Sequence, residues 1–116
     1  MKTLYLLVGP PGSGKSTWTA AFLADNRATV ISSDNIIESR AAEMGLTYSE
    51  AWGRVDMADI ETEVRDAFKN AYMRNENIIV DRTNMRIKSR TSFISQISRK
   101  KYRVVAVVFS VPRDEL

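Results

Sequence analysis

The 116-residue chain contains neither cysteine nor histidine, which excludes disulfides, thiolate metal sites, the usual zinc ligands and imidazole general bases. Acid–base chemistry is left to carboxylates, lysine and tyrosine, and the length suits one domain burying roughly two-thirds of its unfolded surface. The net charge is a modest +3, and no apolar run reaches the length of a bilayer span; Met1-Lys2 leads straight into a strand pattern, so an intracellular, soluble, cytoplasmic protein is expected.

Residues 3–8 form a continuous apolar run, as expected of a strand buried on both faces in a parallel sheet. Gly9-Pro10-Pro11-Gly12-Ser13-Gly14-Lys15-Ser16-Thr17 follows at once. Gly9, four residues, Gly14, Lys15 and Ser16 satisfy the phosphate-binding P-loop pattern completely. Glycines allow the backbone to turn so that successive N–H groups face phosphate oxygens. Lys15 brings positive charge to the β- and γ-phosphates, and the Ser16 hydroxyl is a Mg²⁺ ligand of the right kind. A helix over 16–26 would aim its positive end at the same phosphates. The cofactor-binding set is therefore Gly9, Pro11, Gly12, Ser13, Gly14, Lys15, Ser16 and Thr17; a purely structural turn is the alternative. On the helix, Trp18, Ala21, Phe22 and Ala24 are placed to pack on the sheet.

Residues 28–32 are a short second strand with a β-branched middle. Ser33 and Asp34 stand where it gives way to a helix from Ile36 to about Glu43, closed by Gly45. Asp34 has two open readings, a general base for an acceptor hydroxyl or the cap of that helix. Thr47-Tyr48-Ser49-Glu50 fits a capping box, and the apolar residues from Val55 to Tyr72 recur at helical spacing, giving a helix from Ser49 to about Arg74 with a weak point or bend at Gly53. Core packing is the favoured reading of Trp52 and Met57, with a place near the substrate end as the other.

Ile78-Ile79-Val80-Asp81 is an apolar strand ending in a carboxylate, followed by Arg82-Thr83-Asn84 on a loop. Asp81 reads either as a carboxylate that organises Mg²⁺, often through water, or as one that holds loop amides. A helix from Ile87 to Arg99 would turn Ile87, Phe93, Ile94 and Ile97 inward. Tyr102 to Phe109 is the last strand, apolar on both faces, and Pro112 suits the first turn of a further helix. Strands alternating with helices imply a parallel sheet covered on both sides, with its ligand beyond the carboxyl ends of the strands. That rim collects the P-loop, Ser33-Asp34, Asp81 to Asn84 and Ser110 to Arg113.

From Arg82 to Arg113 there is no acidic residue, while Arg82, Arg86, Lys88, Arg90, Arg99, Lys100, Lys101, Arg103 and Arg113 are all basic. Such asymmetry fits a surface facing a polyanion, or else a solvated helix face. Arg82, Arg86 and Arg90 are candidate phosphate ligands.

Residues 7–18, Leu-Val-Gly-Pro-Pro-Gly-Ser-Gly-Lys-Ser-Thr-Trp, resemble the start of the 5′-kinase domain of phage-type polynucleotide kinases. Asp34 lies where that family keeps its general-base aspartate. Asp81, Thr83 and Asn84 are similar to its Asp-x-Thr-Asn stretch, and residues 109–116 to the segment leading into its lid. The resemblance runs over essentially the whole chain. It implies an α/β P-loop NTPase fold of the adenylate-kinase-like type, with three α/β/α layers and about four parallel strands. It also implies ATP, Mg²⁺ and transfer of the γ-phosphate to the 5′-hydroxyl of DNA or RNA. Residues 1–116 would be one kinase core, with the family's lid beginning just beyond Leu116. Lys15 and Asp34 would be catalytic, Ser16 and Asp81 would serve the metal, and Asp34, Arg82, Thr83, Asn84 and Arg86 would face the acceptor. One position departs from the family: the acceptor-phosphate arginine expected one turn after Asp34 is Ile37, for which Arg82 or Arg86 would have to substitute. Two other readings stay open, a kinase for a nucleoside, sugar or antibiotic, and a nucleotide-binding module with little catalysis.

Overall fold

The computed structural model describes residues 1–10, 12–82 and 86–110. Four strands form one sheet: β1 (Lys2–Val8), β2 (Thr29–Ile31), β3 (Ile78–Asp81) and β4 (Tyr102–Val108), in the order β2-β3-β1-β4. Every pairing is parallel, as the unbroken apolar runs require of strands buried on both faces. Among the described residues five helices connect them: α1 (Lys15–Asp25), α2 (Ser33–Met44), α3 (Tyr48–Trp52), α4 (Met57–Met73) and α5 (Ile87–Ile94). None is long and apolar enough to cross a membrane among the described residues.

Alternation along the strands assigns the two faces. Leu4 and Leu6 of β1, Ile78 and Val80 of β3 and Ile31 of β2 pack against Val64, Phe68 and Ala71 of α4 and Phe93 of α5. Tyr5 points to the opposite face, where its ring meets Trp18 and Phe22 of α1 at centroid distances of 5.7 and 4.8 Å. The sheet is thus sandwiched between α1 and the α4–α5 layer. A second cluster, Ile37, Ala41, Ala51 and Ile60, joins α2, α3 and α4.

The amino-terminal end of the sheet is locked by side chains. The Asn77 side chain accepts from the Thr3 amide at 2.9 Å and donates to the Arg27 carbonyl at 3.2 Å. The Tyr102 hydroxyl donates to the Glu76 carbonyl. The carboxyl end, where the chain leaves β1, β2 and β3 for α1, α2 and α5, carries Lys15, Ser16, Asp34 and Asp81.

Several local expectations change. α2 starts at Ser33, because Ser32 caps it by accepting from the Asn35 amide at 3.4 Å. The long helix expected from Ser49 is two helices. Gly53 weakens its first turns, and Asp56 caps a new start by accepting from the Ala58 amide at 2.8 Å. The capping box of Thr47 and Glu50 is present, and Gly45 closes α2. With α3 separated, Trp52 and Met57 are 46% and 41% exposed rather than in the core. Ala21 and Ala24 of α1 face solvent, since Trp18 and Phe22 make its contact with Tyr5. α5 ends at Ile94, short of Arg99; Ser98 instead donates its amide to the Tyr72 hydroxyl at 3.1 Å. Ile87, expected inward, is exposed at the first position of α5. β4 lies at a sheet edge among the described residues, so Val108 is exposed instead of covered on both faces. The expected helix around Pro112 lies outside the described residues.

Candidate active site

At the carboxyl end of β1 the chain turns sharply into α1. Gly9 is buried there, and a Cβ on it would come within 2.8 Å of Ser13 Oγ and 2.9 Å of Phe109 Cβ. Only glycine fits, because the Phe109 amide donates to the Val8 carbonyl at 2.8 Å and draws the end of β4 against the loop. The Ser13 hydroxyl closes the turn by donating to the Pro10 carbonyl at 2.6 Å. Gly14 then adopts φ 104°, a left-handed conformation unfavourable for residues with a Cβ. It serves as the N-terminal cap of α1 and, having no side chain, bonds none of the first-turn amides itself. Those amides, with the positive end of the helix dipole, are left to an anion.

The loop forms one wall of a cleft of about 610 Å³, lined by Gly12, Gly14, Lys15, Ser16, Thr17, Ser33, Asp34, Asp81 and Arg82. Residues far apart in the chain meet here because β1, β2 and β3 are parallel and all end on one edge. Of the expected site residues, Gly12, Gly14, Lys15, Ser16, Thr17, Asp34, Asp81 and Arg82 line this single cleft. Gly9 and Ser13 shape the turn behind it. Pro11, Thr83 and Asn84 lie outside the described residues. Arg86 is not on the cleft wall. It lines an adjoining groove of about 380 Å³ with Arg65, Lys88, Ser89 and Gln96, and Arg82 borders both.

Asp34 sits exposed in the first turn of α2. The helix cap is Ser32, so the carboxylate of Asp34 is not consumed by capping. Its Oδ1 accepts from the Tyr48 hydroxyl at 2.8 Å. That bond is the main cause raising the Tyr48 pKa, with burial next, while the indole of Trp52 acts in the opposite sense. Asp81 is half-buried at the end of β3. Burial pushes its pKa up, Lys15 pulls it back, and the negative charge of Asp34 pushes it up again. Asp81 therefore feels both Lys15 and Asp34 across one cleft.

Arg82 is held by Glu61 of α4 in a forked pair, with Nη1 donating to Oε2 at 3.1 Å and Nη2 to Oε1. Ile37 is wholly buried among Ala41, Ala51 and Ile60, so a side chain at that position belongs to the core and not to the cleft. Arg40 pairs with Glu63 of α4 beside a second cleft, between α2 and α4, that no P-loop residue lines. Neither position supplies a clamp in the P-loop cleft.

A triphosphate fits the donor side: a helix start capped by a glycine that has no side chain to offer, a loop whose close approach admits only glycine at residue 9, and Lys15 on the wall. Ser16 and Asp81 would hold a magnesium ion, which takes one or two protein oxygens and completes its shell with phosphates and water. Among the described residues no group of three or more acidic, histidine or cysteine side chains is placed to hold a metal alone.

Sequence reasoning missed Tyr48 beside Asp34, Glu61 on Arg82 and Phe109 under Gly9. The capping box had fixed Tyr48 as a first helical residue, but nothing local in the sequence joins it to Asp34.

The family model for an AAA domain matches residues 4–116. The chain belongs to the AAA domain family. No curated protein matches it by sequence. Among solved structures, this AAA domain superposes on a chain of a Pnkp1/Rnl/Hen1 complex with a TM-score of 0.72 at 23% identity, covering 99% of this chain and 38% of that one. A chain of the Pnkp1/Rnl/Hen1 RNA repair complex gives 0.69 at 21%, covering 98% and 35%. A candidate kinase from Chloroflexus aurantiacus j-10-fl gives 0.67 at 18%, covering 93% and 59%. At these identities the likeness is one of fold, the expected parallel α/β architecture. This AAA domain spans well under half of the two complex chains and just under three-fifths of the third.

Proposed function

We propose that this domain is an ATP-dependent, Mg²⁺-assisted kinase that phosphorylates the 5′-hydroxyl of a nucleic acid. The observation carrying the reading is the single cleft on which the P-loop residues, Asp34 and Asp81 converge. The loop amides and Lys15 bind the β- and γ-phosphates of the donor, and Ser16 and Asp81 hold the metal, which supplies charge neutralisation when bound. Asp34 lies across from the loop and takes the proton of the acceptor hydroxyl. The acceptor oxygen bonds to the γ-phosphorus as the bond from that phosphorus to the β–γ bridging oxygen breaks, and the leaving diphosphate keeps its charge against Lys15 and the amides. Little covalent work is asked of the protein; position and charge carry the catalysis.

A polyanionic acceptor is supported by the groove next to the cleft, where Arg65, Arg86 and Lys88 gather beyond Arg82. Two of the structurally similar chains come from complexes described with Pnkp1, one of them in RNA repair. A second reading, a kinase for a small hydroxylated molecule, is favoured by one observation: the residue one turn after Asp34 is the buried Ile37, not a phosphate-binding arginine.

Labelled γ-phosphate offered with 5′-hydroxyl oligonucleotides, and in parallel with nucleosides and sugars, separates the two. Label on the oligonucleotide, lost without Mg²⁺ and weakening steeply with salt, is expected. Label on a small acceptor alone, with no dependence on salt, would overturn the nucleic-acid reading.

A further inference from the structure

We propose that Trp52 is a stacking platform for the terminal base of the acceptor, set beside Asp34 by Tyr48; the inference rests on the nucleic-acid kinase reading above. Tyr48 and Trp52 are four residues apart on α3 and so share a face. Their rings lie 6.0 Å apart at 84°, an edge-to-face contact that leaves at least one face of the indole uncovered by Tyr48. Tyr48 commits its hydroxyl to Asp34 at 2.8 Å. The indole is therefore two contacts away from the carboxylate that faces the P-loop.

Trp52 belongs to neither core cluster. The side of α3 that enters the core carries Ala51, wholly buried against Ile37, Ala41 and Ile60. Trp52 remains 46% exposed. The other tryptophan, Trp18, stacks on Phe22 at 5.2 Å and touches Tyr5. A large aromatic surface left in water next to a polar cleft suits a flat, apolar partner presented from that cleft. A nucleobase is such a partner, and it binds aromatic side chains by stacking whatever its identity. A base on Trp52 would orient the terminal sugar so that its hydroxyl reaches Asp34, while the following phosphates run toward the basic groove. α3 is made rigid enough for this by its capping box, with the Glu50 amide donating to Thr47 Oγ1 at 3.2 Å and Glu50 Oε1 accepting from the Thr47 amide at 3.0 Å.

The test uses two 5′-hydroxyl oligonucleotides identical except that the terminal residue of one is abasic. Transfer kinetics are measured on the wild type, Trp52→Ala and Trp52→Phe. The wild type is expected to show a KM at least about fivefold higher for the abasic end, with kcat little changed, the size of one base–aromatic stack. Trp52→Ala should raise KM for the intact end to the abasic level and lose the discrimination, and Trp52→Phe should recover part of it. Tryptophan emission of the wild type should fall when the intact oligonucleotide binds with a non-hydrolysable ATP analogue, and fall less with the abasic one. Equal KM values for the two oligonucleotides on the wild type, or discrimination retained by Trp52→Ala, would overturn the proposal while leaving the kinase reading in place. The wild-type comparison and Trp52→Phe decide the matter even if the alanine variant fails to fold. A wild type that transfers label to neither oligonucleotide overturns the kinase reading and this inference with it.

Discussion

Asp81 pays for its position at the tip of β3 with a raised pKa, caused first by burial and then, against the pull of Lys15, by the charge of Asp34. A carboxyl held above its unfolded pKa stabilises the fold only while protonated. That contribution fades as pH rises past the ordinary carboxylate value and through the raised one, so at neutral pH the charge opposes folding. Asp81→Asn should therefore melt at the same or a higher temperature than the wild type at neutral pH, with the gap closing in acid, yet lose Mg²⁺-dependent transfer. A variant clearly less stable at neutral pH would mean that Asp81 instead holds loop structure. Gly9 is constrained in the opposite way, by space. Gly9→Ala forces a methyl against Ser13 and Phe109, so a loss of about 1–3 kcal/mol in denaturant unfolding and a weakened nucleotide affinity are expected together. An unchanged affinity would show that the loop can shift without consequence for its ligand.

At the scale of the elements, the proposed kinase puts its acceptor on α3 and α5 and its donor on α1. α3 has only five residues, too few to be stable without its cap and its packing. Thr47→Ala should remove about 1 kcal/mol from unfolding and, by loosening Tyr48, slow transfer more than it affects ATP binding. The depressed pKa of Glu50, caused by the amide and then the hydroxyl of Thr47, belongs to the same box. Its stabilisation is present above the unfolded carboxylate value and disappears as pH falls through the lowered one. On α5, Lys88→Ala should reduce the salt slope of oligonucleotide binding by about one, as expected for a lost phosphate contact. An unchanged slope would assign Lys88 to solvent. The strands were readable because buried parallel strands are unbroken apolar runs, and α1 because a complete glycine pattern precedes it. Trp52, Met57 and Ile87 misled because their exposure depends on where α3 separates from α4 and where α5 begins; Asp56 sets the first boundary by capping a new helix start, and Ile87 falls at the first position of α5, ahead of the turn that packs.

The whole molecule is a sheet fastened at one end and open at the other. Asn77, Glu76 and Tyr102 tie the strands at their amino ends, and Phe68 of α4, fully buried, lies at the centre of the larger core cluster. Phe68→Ala should cost about 3–5 kcal/mol and destabilise the domain without touching the cleft. The open end gathers the loop, Asp34 and Asp81. The rim itself could be read from the sequence, because parallel strands must deliver their carboxyl ends to one edge. Its finer arrangement could not: Ser32, a local rival for the cap, takes that role from Asp34, while Tyr48 reaches Asp34 and Glu61 reaches Arg82 through space rather than along the chain. The central claim is that Asp34 acts on the acceptor and not on the nucleotide. Titration of ATP into Asp34→Asn by calorimetry, paired with label transfer to a 5′-hydroxyl oligonucleotide, tests it most directly. Wild-type ATP affinity with transfer reduced at least about a hundredfold is expected of a lost general base. Turnover that survives the substitution would contradict it.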